Sequence, residues 1–295
     1  MLSVWDQPMT VELGTPSPQL LPRVVETLRG WQDESAPLQL HPGDLGWYWR
    51  LGTDAAAAAV RTWSRDDEVV AIGLLDGPDA LRMTVAPGAW QDDDVAQQVV
   101  ADVCDPVRGV LPDGAVVVEA PHATRVHELL GERGWGAGGP WTPLRRDLTD
   151  PVEVDGLHVE VVEAGRTAEF TAVHRAAWGN ERFTDEVWQT MAAGSAFVDA
   201  RCLLGRDAAG VPVAGVTVWS AGPGRPGLLE PMGVHAAHRG SGYGRRICLA
   251  AAAELRALGS SSALVCTPTA NVTAVATYRS AGFQPEPERL DRTRG

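Results

Sequence analysis

From residue 157 onward the apolar and polar positions fall into short periodic blocks. LHVEVVE (157–163) alternates with period two and predicts a strand, and Thr167 to Trp178 and Thr184 to Ala193 carry the wider spacing of helices. FVDARCLLGRD and VPVAGVTVWSAG, joined by Ala208-Ala209-Gly210, predict an antiparallel hairpin. A further strand, GLLEPMGV, runs into HAAHRGSGYG. An alanine-rich helix extending to about Leu258, a short apolar strand ALVCT and a last helix from Asn271 to Ser280 follow.

The first half repeats this order more faintly. A helix around Pro18 to Gly30 precedes HPGDLGWYWR, an alanine helix over Asp54 to Trp63, and the strands EVVAIGLLDG and ALRMTVAPG. Then come a helix near Asp94 to Val103, a strand AVVVEA and a helix ending at Gly134-Trp135. A shift of 148 residues lays Gly134-Trp135 on Gly282-Phe283, which points to an internal duplication. The turn formers of LTDPVEVDG (148–156) suit a linker, so the expected domains are 1–150 and 151–295, each a mixed α/β sheet flanked by helices.

A length of 295 residues agrees with two domains. The net charge of −13 is uneven: residues 1–150 hold 23 acids and 11 bases, whereas residues 151–295 hold 15 and 14. Neither half has the basic stripe that a nucleic-acid partner would need. No apolar run approaches the roughly 20 residues of a membrane helix, and MLSVWDQPMT has no apolar export signal, so the expected location is the cytoplasm. All 25 basic residues are arginine, a composition that fits a very GC-rich bacterial gene. Cys104, Cys202, Cys248 and Cys266 lack metal-ligand spacing and read as reduced, buried thiols without a metal.

The strongest local signal is Arg239-Gly240-Ser241-Gly242-Tyr243-Gly244-Arg245, between a predicted strand and a predicted helix. Glycines there let successive amides and the positive helix end converge on an anion such as a diphosphate. A Walker loop is excluded because the chain has no lysine, and the dinucleotide fingerprint fails because the glycines run GxGxG. Downstream, Asn271, Ala274 and Tyr278 fall at i, i+3 and i+7 on one helical side, ahead of Gly282-Phe283. Asn271 also reads simply as a helix cap, and Tyr278 as core.

In this order the two motifs resemble the GCN5-related N-acetyltransferase (GNAT) superfamily, over about residues 157–285, with residues 1–150 as a degenerate copy; the arrangement is similar to the tandem actinobacterial type. The resemblance implies that Arg239, Gly240, Ser241, Gly242, Tyr243, Gly244 and Arg245 bind the pyrophosphate of acetyl-CoA. It implies that main-chain amides of Met232, Gly233 and Val234 hold the pantetheine and polarise the acetyl carbonyl, that Asn271 contacts the cofactor, and that Tyr278 is the general acid. Pro231, odd in a central strand, becomes tolerable if the strands splay here as in that family.

Glu230 is the candidate base, since an amine with a pKa of about 10 must lose a proton before it attacks. Alternation would put it on one face with Met232 and Val234. His235 and His238 are competing bases; Cys248 and Cys266 read as core rather than as nucleophiles. In the first half the corresponding loop reads Ala89-Trp90-Gln91-Asp92-Asp93-Asp94, whose carboxylates would repel a pyrophosphate, and Ala123 and Leu130 stand where Asn271 and Tyr278 would be. That copy is expected to be silent. Trp47-Tyr48-Trp49 reads either as buried core or as an aromatic contribution to the acceptor site. The expectation is acetyl transfer to a primary amine of a small molecule or peptide, by direct attack in a ternary complex, in a monomer or homodimer. A mycothiol-synthase-like acetyltransferase and a non-catalytic acyl-CoA sensor stand as alternatives.

Overall fold

Polar side chains mark most helix starts. In the computed structural model, which describes residues 10–295, Asp92 accepts from the Val95 amide at 3.0 Å, and Thr124 and Thr184 cap their helices in the same way. The stretch read for an export signal lies almost wholly outside these residues. In chain order the elements are β1 (Glu12–Gly14), α1 (Leu21–Gly30), α2 (Pro42–Tyr48), α3 (Thr53–Ala59), β2 (Val60–Arg65), β3 (Glu68–Leu75), β4 (Ala80–Val85), α4 (Asp93–Cys104), β5 (Val116–Glu119), α5 (Arg125–Glu132) and β6 (Gly136–Asp147). They continue with β7 (His158–Val161), α6 (Ala168–Trp178), α7 (Asp185–Ala192), β8 (Ala200–Arg206), β9 (Pro212–Trp219), β10 (Gly227–Val234), α8 (Tyr243–Ala257), β11 (Ser262–Pro268), α9 (Val272–Ser280), β12 (Gln284–Pro285) and β13 (Arg289–Arg294).

Two compact units interleave along the chain. The first holds the described residues up to Thr27, Ala57–Gly138 and Leu290–Gly295; the second holds Leu28–Ala56 and Gly139–Arg289. The units therefore do not part at the residue-151 boundary read from the linker. Strand pairing gives the reason: β6 is antiparallel to β11 from Trp141 to Asp147, and β13 is antiparallel to β5. The last strand of each half thus belongs to the unit formed mainly by the other half.

In the first unit the strand order is β1-β2-β3-β4-β5-β13, antiparallel except for β4 and β5. Its core gathers Trp63, Met83, Val95, Val99, Val118 and Leu130. The alanine helix expected to reach Trp63 stops at Ala59, and Val60–Arg65 is strand instead. β-Branched and aromatic residues favour the pleat; pairing Trp63 with Ala71 buries the indole completely, and its N–H donates to Asp102 at 3.0 Å.

In the second unit the order is β6-β11-β10-β9-β8-β7, with β12 on β6 and β10 and β11 parallel. Its core includes Leu203, Val216, Leu229, Ile247, Ala251 and Phe283. Both units contain strand, helix, parallel strand and helix in succession: β4-α4-β5-α5 and β10-α8-β11-α9. The second unit also takes in α2. Gly43 and Gly46 bring that helix onto Trp219 so closely that a Cβ at either position would overlap the indole.

Candidate active site

Parallel pairing of β10 with β11 covers only Gly227 and Leu228, whereas pairing with β9 continues through Met232, Gly233 and Val234. Beyond Leu228 the two parallel strands part, which leaves the β11-facing edge of β10 without a strand partner. Pro231 is tolerated in this region of irregular pairing. Between Leu229 and Met232 the register with β9 slips by one residue. Strict alternation from Glu230 to Val234 therefore fails: the extra residue of a bulge puts Leu229, Met232 and Val234 together on the side packed against the second core, with Glu230 and Pro231 in the bulge.

After β10 a short 3₁₀ turn (Ala236–His238) leads into the glycine loop. Gly240 and Gly242 both have φ +80°, a backbone region that side chains with a Cβ rarely enter. Gly242 precedes α8 and supplies no side-chain cap. The first intrahelical bond there runs from the Arg246 amide to the Gly242 carbonyl, so the amides of Gly242, Tyr243, Gly244 and Arg245 have no acceptor within the helix. Gly244 allows α8 to meet α9, since a Cβ there would lie 2.9 Å from the Thr277 methyl.

The two arginines of the loop have structural partners. Arg239 donates to the Ala177 carbonyl at 2.6 Å, and Arg245 donates to the Ser280 carbonyl at 3.1 Å and pairs with Asp155 at 3.3 Å. An anion at this helix end would therefore meet backbone amides first. The first unit is built differently. α4 is capped by Asp92, which pairs with Arg65 at 2.8 Å, while Asp93 pairs with Arg125 at 2.7 Å. Carboxylates there occupy the end that α8 leaves open.

Tyr278 is buried on α9, edge-on to Phe283 at 6.1 Å. Burial pushes its phenol well above the ordinary range, with Cys248, Glu230 and Cys266 acting in the same direction, so it stays protonated at neutral pH. Glu230 and Tyr278 thus share one electrostatic neighbourhood, with Glu230 half-buried. Asn271 caps α9 through its own carbonyl oxygen, which accepts from Ala274 at 3.2 Å. The His235 ring likewise accepts from the Ala237 amide at 3.2 Å. Cys248 is a core thiol pushed up to about 12 by burial; Cys104 and Cys266 are only half-buried, unlike the expectation for all four.

The sequence singled out Trp47 but not His174, Phe170, Trp178 or Phe183. A cleft on the α6 side of β10 is lined by Phe170, His174, Trp178, Pro231 and Gly233. Behind His174 stand Trp47 and Phe183, with ring centroids at 5.6 and 4.3 Å. Trp47 is thus one of the second unit's aromatic groups, while Trp49 is buried. Apart from Trp47, no motif marks these residues, because they come from three separate segments.

A mixed sheet whose parallel pair parts beside an uncapped, glycine-led helix is an arrangement shared with GNAT-fold proteins. Residues 167–283 match the family described as Acetyltransferase (GNAT) family. The whole chain is similar in fold to a GCN5-related N-acetyltransferase from Sphaerobacter thermophilus (16% identity, TM-score 0.57, covering 97% of this chain and 96% of that one). It is also similar to a tandem GNAT protein from the clavulanic acid biosynthesis pathway (14%, 0.61, 97% and 98%). A GNAT-family acetyltransferase from Colwellia psychrerythraea gives 14% identity and a TM-score of 0.61, with 96% and 98% covered. No curated protein sequence matches the chain. Among the described residues no helix is long and apolar enough to cross a membrane.

Proposed function

We propose that the second unit transfers an acetyl group from acetyl-CoA to a primary amine by direct attack in a ternary complex, and that the first unit is catalytically silent. The observation carrying this reading is the parting of β10 from β11 after Leu228, next to a helix start whose amides have no cap. The free amides of Gly242, Tyr243, Gly244 and Arg245 fit a diphosphate, aided by the helix dipole. Gly240 and Ser241 shape the loop, and Arg239 fastens it to α6. The unpaired edge at Met232, Gly233 and Val234 fits an extended amide-bearing arm and a polarised carbonyl.

When bound, acetyl-CoA supplies the activated acetyl thioester. Glu230 takes the proton of the acceptor ammonium, directly or through water. Tyr278, kept protonated by burial, holds a proton at its hydroxyl for the departing thiolate. Asn271 already spends its carbonyl oxygen on the cap, which leaves its amide nitrogen for the cofactor. In the first unit Asp92 and its arginine partner fill the equivalent helix end, which supports the silent role.

Thiol release from acetyl-CoA against a panel of amines, cysteinyl-glucosaminyl-inositol included, tests the reading. The expected result is turnover with at least one primary amine and one coenzyme A bound per chain. Absence of release with every amine overturns it.

A further inference from the structure

The register of β10 against β9 leaves Glu230 and Pro231 together opposite Thr217, two residues against one. A bulge of this kind disrupts the strand ladder locally, and Pro231 has no N–H with which to rebuild it. A side chain enters instead. The indole Nε1 of Trp219 donates to the main-chain carbonyl of Glu230 at 2.6 Å.

Trp219 is fully buried and held from several sides. α2 lies against it: a Cβ at Gly43 would come 2.6 Å from the Trp219 Cβ and 2.8 Å from its Cδ1, and one at Gly46 would overlap the far, six-membered ring. Phe197 meets the indole edge-on, with ring centroids at 6.0 Å. The start of α2 is itself tied to the start of β10, because the buried His41 ring lies 3.2 Å from the carbonyl of Pro226, one residue before Gly227. All of these groups belong to the second unit. Close packing keeps a buried side chain in its rotamer, so the N–H is aimed at Glu230 by the fold itself.

The carbonyl that receives this bond belongs to the residue proposed as base. Fixing the peptide plane that follows Glu230 fixes where its side chain leaves the backbone, and only the side chain's own torsions remain to be set. A reacting group misplaced by about 1 Å can lose on the order of a hundredfold in rate. Packing alone would account for a large ring at position 219, but not for a donor 2.6 Å from this particular carbonyl.

We infer that Trp219 is a positioning residue for Glu230: seated against α2, it holds the bulge of β10 through its indole N–H and so directs the carboxylate toward the acceptor amine. This role rests on the acetyl-transfer reading, in which Glu230 takes the acceptor's proton, and it brings α2, a segment from the first half of the chain, into support of the site.

Two replacements remove the donor. Trp219→Phe keeps one ring, while β-(3-benzothienyl)alanine at position 219 keeps both rings and the volume, with sulfur in place of the N–H. Each is made in the full chain with Glu230 intact and again with Glu230→Gln. The measurements are steady-state thiol release from acetyl-CoA, with whichever amine turns over fastest, and the carboxyl carbon resonances of chain isotope-labelled at glutamate. With Glu230 intact, kcat is expected to fall about tenfold or more, while KM for acetyl-CoA stays within about twofold. With Glu230→Gln, the same replacements should change kcat by no more than about twofold, since no base is left to misplace. The Glu230 resonance, assigned by its disappearance in Glu230→Gln, should move in both donorless chains. Equal losses in the two backgrounds, an undiminished kcat in both donorless chains, or an unmoved Glu230 resonance overturns the assignment. The two readings fail separately. A large loss in Glu230→Gln with additive losses at position 219 sinks the positioning role while Glu230 stands as base; undiminished turnover in Glu230→Gln removes both. Absence of release with every amine sinks acetyl transfer, and the resonance then decides alone whether Trp219 places the carboxylate.

Discussion

The guanidinium of Arg239 donates to the main-chain carbonyl of Ala177 at 2.6 Å, so the glycine loop before α8 is held by the last turn of α6. The same turn carries Trp178, and its C-cap Gly179 has φ +60°. One side chain therefore links the proposed diphosphate cradle to the helix turn that carries Trp178.

Replacing that side chain should act through loop order. Arg239→Gln is expected to weaken coenzyme A binding by about threefold to tenfold, the loss of one charge-assisted hydrogen bond. Arg239→Glu should weaken it further by placing a carboxylate near the anion. Calorimetry reads both, and unchanged affinity in the two variants would reject the cradle.

Tyr278 separates a chemical role from a packing role. Tyr278→Phe keeps the ring against Phe283 and removes only the hydroxyl. Turnover is expected to fall by about a hundredfold, the usual contribution of a general acid, with coenzyme A affinity and melting temperature nearly unchanged. Equal losses in turnover and affinity would make Tyr278 structural.

Much of the second unit was legible because its helices and strands are each marked locally. Thr184 caps α7 as its position suggests, Gly242 sits at φ +80° where the loop turns, and the β8-β9 hairpin forms as read. What escaped depends on distant partners. The charged strand RLDRTR becomes β13 only because β5 pairs with it, and Val60 to Arg65 become β2 only beside β3. The bulge at Glu230-Pro231 is invisible to period-two reasoning, since nothing in GLLEPMGV fixes its register against β9. His174 looked like any helical histidine; only the meeting of α2, α6 and the Phe183 loop surrounds it with rings.

The first unit offers a test by contrast. Asp92 caps α4 and pairs with Arg65, and its carboxyl is held below the usual range by the Val95 amide and Arg65 despite opposing burial. Asp92→Ala should cost about 1 kcal/mol of stability, as cap removal does, read from the urea midpoint. Coenzyme A stoichiometry should remain one per chain. A second equivalent bound by the unaltered chain would refute the silent assignment.

A pH dependence follows from His41. Its ring is fully buried, accepts from the Gly43 amide at 3.0 Å and lies 3.2 Å from the Pro226 carbonyl, while its own amide donates to Asp44 at 2.6 Å. Accepting from Gly43 through Nδ1 places the ring proton on Nε2, where it can donate to Pro226. Burial pushes the imidazole down to about 4, with Arg29 acting the same way against the Pro226 bond. In the unfolded chain it returns to about 6.5, so between these values the unfolded state binds the extra proton. Its contribution to stability is complete above pH 6.5 and is lost as pH falls toward 4, on the order of 3 kcal/mol in all. His41→Asn offers an amide that can still cap α2 but does not titrate. Its urea midpoint should fall less than that of the unaltered chain between pH 7 and pH 4.5, whereas parallel declines would show that His41 does not govern this acid sensitivity.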